Sequence, residues 1–149
     1  MNIAIGADHG GFAIKEKIKQ KFKEHNFIDV GAVDLDPADS YVGYSLAVGG
    51  AIQESRADVG IMICRTGVGA VIALNKMVGI RAGVLENVDS VILARKKNNV
   101  NVLSFGADNV SEKKAIKLID AFLTTEFEGG RHANRLEEIR EYEERHIRK

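Results

Sequence analysis

The pattern that most limits what this chain can fold into is an alternation, five times over, of short apolar runs with longer segments of helical period. Ile3-Ala4-Ile5-Gly6, Phe27 to Gly31, Val59 to Cys64, Arg81 to Leu85 and Asn101 to Gly106 have the length and composition of strands. Between them, Phe12 to Asn26 repeats Ile14, Ile18 and Phe22 every four residues, with lysines and glutamates in the gaps. Tyr44 to Ser55, Gly67 to Lys76 and Asp89 to Lys97 also read as helical, and Asp34 to Ser40, with the only proline, reads as a loop. Ser111 to Thr125 closes the series. Ser111 is its candidate cap, and Ala115, Ile116, Ile119, Phe122 and Leu123 are its apolar stripe. Val59 to Cys64 is apolar on both faces, as a central parallel strand should be. Such an alternation predicts an α/β fold, a five-stranded parallel sheet covered by helices on both faces. At 149 residues, one domain over 1–149 suffices.

A last helix is expected from Arg131 to Lys149. It is highly charged, with few core positions: Leu136, Ile139, Tyr142 and Ile147. Such a helix is either loosely docked and solvated or packed on a second subunit.

Charge narrows the partners. Lysine plus arginine equals aspartate plus glutamate, at 21 each. A neutral chain has no global attraction to nucleic acid or to an anionic membrane. No apolar stretch approaches the roughly 20 residues that cross a bilayer, and Met1 to Asp8 does not read as a signal peptide. The single cysteine, Cys64, excludes an intramolecular disulfide and fits a reducing cytoplasm.

In sheets of this kind ligands bind beyond the carboxyl ends of the strands. Two strands end there in loops of small and polar residues, Gly6-Ala7-Asp8-His9-Gly10-Gly11 and Cys64-Arg65-Thr66-Gly67-Val68-Gly69. Glycines let backbone N–H groups converge on an anion such as a phosphate or an enediolate oxygen. Cys64 is then either a base or nucleophile, or simply the end of a buried strand. Asp8 and His9 either handle protons and contact phosphate, or cap the next helix and sit satisfied. Arg131 and Arg135, four apart after Gly129-Gly130, share a helix face that suits a phosphate. Other motifs fail. Gly67-Val68-Gly69 lacks the third glycine of the dinucleotide fingerprint, and no phosphate loop with glycine-lysine-serine or threonine exists. Asp34, Asp36 and Asp39 miss the calcium-loop spacing, and His9, His25, His132 and His146 form no metal pattern. No metal and no cofactor are expected.

Together these pieces resemble one family, the type B ribose-5-phosphate isomerases and the related galactose-6-phosphate isomerase subunits. The matching segments are Asp8-His9-Gly10-Gly11, Cys64 with Thr66-Gly67-Val68-Gly69, Asn75-Lys76, Gly79-Ile80-Arg81-Ala82, Asn98, Asn101-Val102-Leu103, Phe105-Gly106, and Glu128-Gly129-Gly130-Arg131-His132 with Arg135. The resemblance implies a Rossmann-like three-layer α/β/α sandwich whose C-terminal helix packs on a partner subunit. It implies a homodimer or tetramer with shared active sites. The implied reaction interconverts ribose 5-phosphate and ribulose 5-phosphate through a cis-enediolate, without cofactor. Cys64 matches the base and Thr66 the residue that moves hydroxyl protons. The amides of Gly67, Val68 and Gly69 match the enediolate hole. His9, with Asp8 beside it, and Arg131, His132 and Arg135 match the phosphate grip; His9 and Asn98 also count among the catalytic positions. The alternatives are an isomerase for another sugar phosphate, such as galactose or allose 6-phosphate, and a non-catalytic sugar-phosphate binding protein.

Five positions depart from the family pattern. Arg65 stands where a glycine is usual, and would either crowd the anion hole or add charge to it. Ser40-Tyr41-Val42 replaces aspartate-tyrosine-proline. Lys97 replaces the histidine that opens the sugar ring. Asp108 replaces an arginine, and an acid there is expected to repel a phosphate.

Overall fold

The computed structural model describes residues 1–147. Five strands, β1 (Asn2–Ala7), β2 (Asn26–Gly31), β3 (Val59–Cys64), β4 (Ala82–Val84) and β5 (Val102–Gly106), form one parallel sheet in the order β2-β1-β3-β5-β4. The run that is apolar on both faces is indeed central, and all six of its residues are buried. Its alternation divides the core. Ile61 and Ile63 point into a cluster with α1 (Phe12–Lys21), α4 (Val88–Asn98) and α5 (Glu112–Thr124). Met62 and Cys64 point into a second cluster with α2 (Tyr41–Gln53) and α3 (Val68–Leu74). The three layers are therefore as expected.

Helix boundaries moved where tertiary packing overrode the period. α1 stops at Lys21, not Asn26. Phe22 is the last apolar residue of its stripe, and the chain then turns so that Asn26 can pair with Asn2 as the start of β2. α2 begins at Tyr41 rather than Tyr44, because Ser40 caps it by accepting the Val42 N–H at 3.3 Å. Gly49 in that helix has a packing reason, since a Cβ there would collide with Met77. α5 follows its stripe, with Ser111 accepting the Lys114 N–H at 3.2 Å.

The C-terminal helix α6 spans Arg131–His146, and positions 148 and 149 of the expected helix lie outside the described residues. None of its residues is buried. It rests on its own chain, where Glu143 accepts the Gly79 N–H at 3.1 Å, while Ile139 and Tyr142 stay half exposed.

Among the described residues one charged side chain, Lys15, is fully inside. Lys15, which helical periodicity places among the polar positions of α1, has no solvent exposure. Its ammonium donates to Asp29 at 2.8 and 3.0 Å and to the Ala32 carbonyl. Burial alone would push the Asp29 carboxyl up. Hydrogen bonds from Lys15, Lys19 and the Gly31 N–H outweigh it and hold the group below the usual carboxylate value. A lowered pKa means that this contribution is present above the unfolded value of about 3.9 and is lost as pH falls through the folded one. Asp29→Ala should cost about 3 kcal/mol in urea denaturation at neutral pH, the lower end for breaking a buried pair, because Ala32 still accepts from Lys15. Lys15→Met should cost far less, since Lys19 still pairs with Asp29 at 2.6 Å.

Candidate active site

The strand order reverses between β1 and β3, with β2 outside one and β5 outside the other. Crevices in open α/β sheets form at such a point. Both loops singled out above open there. They lie in close contact: a Cβ on Gly11 would sit 2.5 Å from Ile63 Cγ2 and 2.6 Å from the Ile63 carbonyl. The Asp8 N–H donates to that carbonyl at 3.3 Å.

Cys64 ends β3, buried at 4% exposure, on the α2/α3 face. Its Sγ accepts the Gly67 N–H at 3.1 Å. Gly67 sits at φ +83°, which a side chain rarely adopts, and this wraps the loop around the sulphur. Thr66 is exposed, and its Oγ1 accepts the Val68 N–H at 3.4 Å. Gly69 leaves no room for a side chain because the Tyr41 ring is 2.5 Å from the Cβ position. Two amides of the expected anion hole are thus engaged by side-chain acceptors. A side chain, unlike a backbone carbonyl, can yield its amide to an incoming oxyanion.

Asp8 does not cap α1. That helix has Gly11 at its N-cap with no side-chain cap, and Asp8 Oδ1 instead accepts the Gly10 N–H at 2.9 Å inside the loop. His9 meets a residue the sequence did not point to. Its Nδ1 lies 2.7 Å from Asp39 Oδ1, which also accepts the His9 N–H at 3.0 Å. The Asp39 side chain is 7% exposed and its Oδ2 has no hydrogen-bond partner. A carboxylate on Nδ1 selects the tautomer that leaves Nε2 free to accept a proton. Burial, followed by the Asp39 charge, pushes the Tyr44 hydroxyl above its usual value. Thirty residues separate His9 from Asp39, and a carboxylate in a polar loop gives no periodic signal. Atoms of Asp8, His9 and Asp39 come within 4.8 Å of one another, a cluster that metal-ligand spacing does not reveal.

The remaining expected site residues gather elsewhere. Asn98, Arg131, His132 and Arg135 line one cavity of about 330 Å³ together with Lys97. α4 starts at the carboxyl edge of the sheet, after β4, and returns to the amino edge, where β5 begins. The Glu128 N–H donates to the Lys96 carbonyl at 3.0 Å and brings the start of α6 to the same edge. Within one chain the cationic cluster and Cys64 therefore occupy opposite edges of a sheet whose strands span roughly 17–20 Å.

Comparison with known proteins agrees with this architecture. The profile of the Ribose/Galactose Isomerase family matches residues 3–139. The chain is 41% identical over 145 residues to the ribose-5-phosphate isomerase B of Escherichia coli, covering 96% of this chain and 97% of that one. The ribose-5-phosphate isomerase B structure from Clostridium thermocellum superposes with a TM-score of 0.93 at 38% identity, over 97% of this chain and 99% of that chain. The Mycoplasma genitalium enzyme, solved with bound ribulose-5-phosphate, superposes with a TM-score of 0.90 at 38% identity, over 96% of each chain. Fold, loop placement and similarity along nearly the whole length thus agree, and the chain belongs to the ribose/galactose isomerase family.

Proposed function

We propose that this protein is an aldose–ketose isomerase that interconverts ribose 5-phosphate and ribulose 5-phosphate, with residues 1–149 acting as one catalytic domain. The observation that carries this reading is Cys64 Sγ held 3.1 Å from the Gly67 N–H, at the crevice shared with His9 and Asp39. The bound ribulose-5-phosphate of the Mycoplasma genitalium relative supports it. In this scheme Cys64 moves the proton between C2 and C1. Thr66 Oγ1 relays the hydroxyl protons, and the Gly67–Gly69 amides receive the enediolate oxygen. His9 stands at the phosphate end, with its Nδ1–H on Asp39 and Nε2 left to take the anomeric hydroxyl proton and pass it to the ring oxygen as the ring opens. Lys97 lines the cationic cavity and offers no imidazole for that step. The free Cys64 thiol suits a reducing cytoplasm.

The same reading requires two copies. The cationic cluster of Arg131, His132, Arg135 and Asn98 lies at the far edge of its own sheet, so it completes a site only on a partner chain. The crevice is flanked by exposed apolar side chains of α2 and α3, among them Val42, Leu46, Val68 and Ile72. A second copy covers this face and places its arginines at the phosphate.

Purified protein should isomerise ribose 5-phosphate, and Cys64→Ala should abolish turnover with unchanged circular dichroism. Retained turnover in that variant would remove the cysteine from the mechanism. Asp39→Asn should lower kcat/KM about tenfold to a hundredfold by releasing the His9 ring. Mixing Cys64→Ala with an Arg131→Ala/Arg135→Ala variant should recover about a quarter of wild-type activity, because half of the dimers are mixed and each holds one complete site. No recovery after subunit exchange would show that each chain builds its own site.

A further inference from the structure

Two of the positions that depart from the family pattern are each other's partners. Arg65 Nε donates to Asp108 Oδ2 at 3.1 Å, and the Asp108 N–H donates to the Arg65 carbonyl at 3.1 Å. The Arg65 side chain therefore does not fill the Cys64–Gly69 turn, and the Cys64–Gly67 contact is intact beside it. It runs the other way, across Gly10. A Cβ on Gly10 would lie 2.6 Å from Arg65 Cγ, so the residue after His9 must be small for the arginine stem to pass. Gly106 does the same for the backbone, with its Cβ position 2.6 Å from the Arg65 carbonyl. The guanidinium is thus held where the loops after β1, β3 and β5 meet, one residue from Cys64 and beside the His9 loop.

The ion pair is poorly explained as a stabilising device. Both side chains are about half exposed or more, at 66% and 47%, and such pairs contribute little. Among the described residues neither Nη atom of Arg65 has a hydrogen-bond partner. Asp108 alone would oppose an anion at this edge. Paired, it is neutralised through Nε and leaves the Nη donors of a planar fork available, a geometry matched to phosphate oxygens.

We propose that Arg65, positioned by Asp108, is a phosphate-binding residue of its own chain's site. It supplies from position 65 the positive charge that the family pattern places at position 108. The two departures are then one relocation of charge, and the expected repulsion by Asp108 does not arise. This rests on the isomerase reading above.

Steady-state kinetics on ribose 5-phosphate test it. Arg65→Gly should raise KM about tenfold with kcat within about twofold, the split expected when ground-state and transition-state binding are lost together. The double variant Arg65→Gly/Asp108→Arg, which moves the arginine back to position 108, should bring KM to within about threefold of wild type. An unchanged or lower KM in Arg65→Gly, or failure of the double variant to recover, would overturn the proposal. If the wild type does not turn over ribose 5-phosphate, the isomerase reading fails separately. Arg65 is then judged by thermal stabilisation with inorganic phosphate and with ribose 5-phosphate: loss in folded Arg65→Gly upholds it, and equal stabilisation overturns it.

Discussion

The contact between the loop after β1 and the end of β3 organises the rest of the molecule. Gly11 lies against the Ile63 side chain and carbonyl at a distance that no larger residue could adopt. Parallel pairing of β1 with β3 brings both carboxyl ends to one height, with Ala7 opposite Ile63. The glycine then lets the His9 loop fold down beside the Cys64 loop. Without that approach the two clusters of functional groups would sit on separate ridges. With it they share a crevice, and Arg65 can cross Gly10 to reach Asp108.

Topology sets the second constraint. In a parallel sheet each connecting helix carries the chain from the carboxyl edge back to the amino edge. Residues on strand-end loops and residues at helix C-termini therefore belong to opposite edges of one subunit. Cys64 and His9 are of the first kind, and Asn98 is of the second. α6 enters beside Lys96 and adds Arg131, His132 and Arg135 to the amino edge. The separation follows from strand direction.

The departures from the family pattern acquire physical content in the structure. Ser40, in the place of an aspartate, serves as the cap of α2, and Tyr41 beside it walls the Gly69 turn. Lys97 lines the cationic cavity rather than offering a titratable ring. Arg65 and Asp108 look like two independent disruptions when read one at a time, because linear sequence shows the identity of each and not the 3.1 Å between them.

The sequence by itself determined the number of strands and their places along the chain, the central place of Val59 to Cys64, the α5 stripe with its Ser111 cap, and the two loops that form the crevice, while the sheet order β2-β1-β3-β5-β4 came from the structure. These follow from periodicity, glycine and capping chemistry, which act over a few residues. Tertiary structure decided what acts across distance. It stopped α1 at Lys21 so that Asn26 could pair with Asn2. It buried Lys15, which the helical period counts as polar, because Asp29 and the Ala32 carbonyl wait on the neighbouring segment. It joined His9 to Asp39 and Arg65 to Asp108, and it set the arginines apart from Cys64. No local pattern encodes these pairings, since each depends on where the chain returns after a strand or a loop.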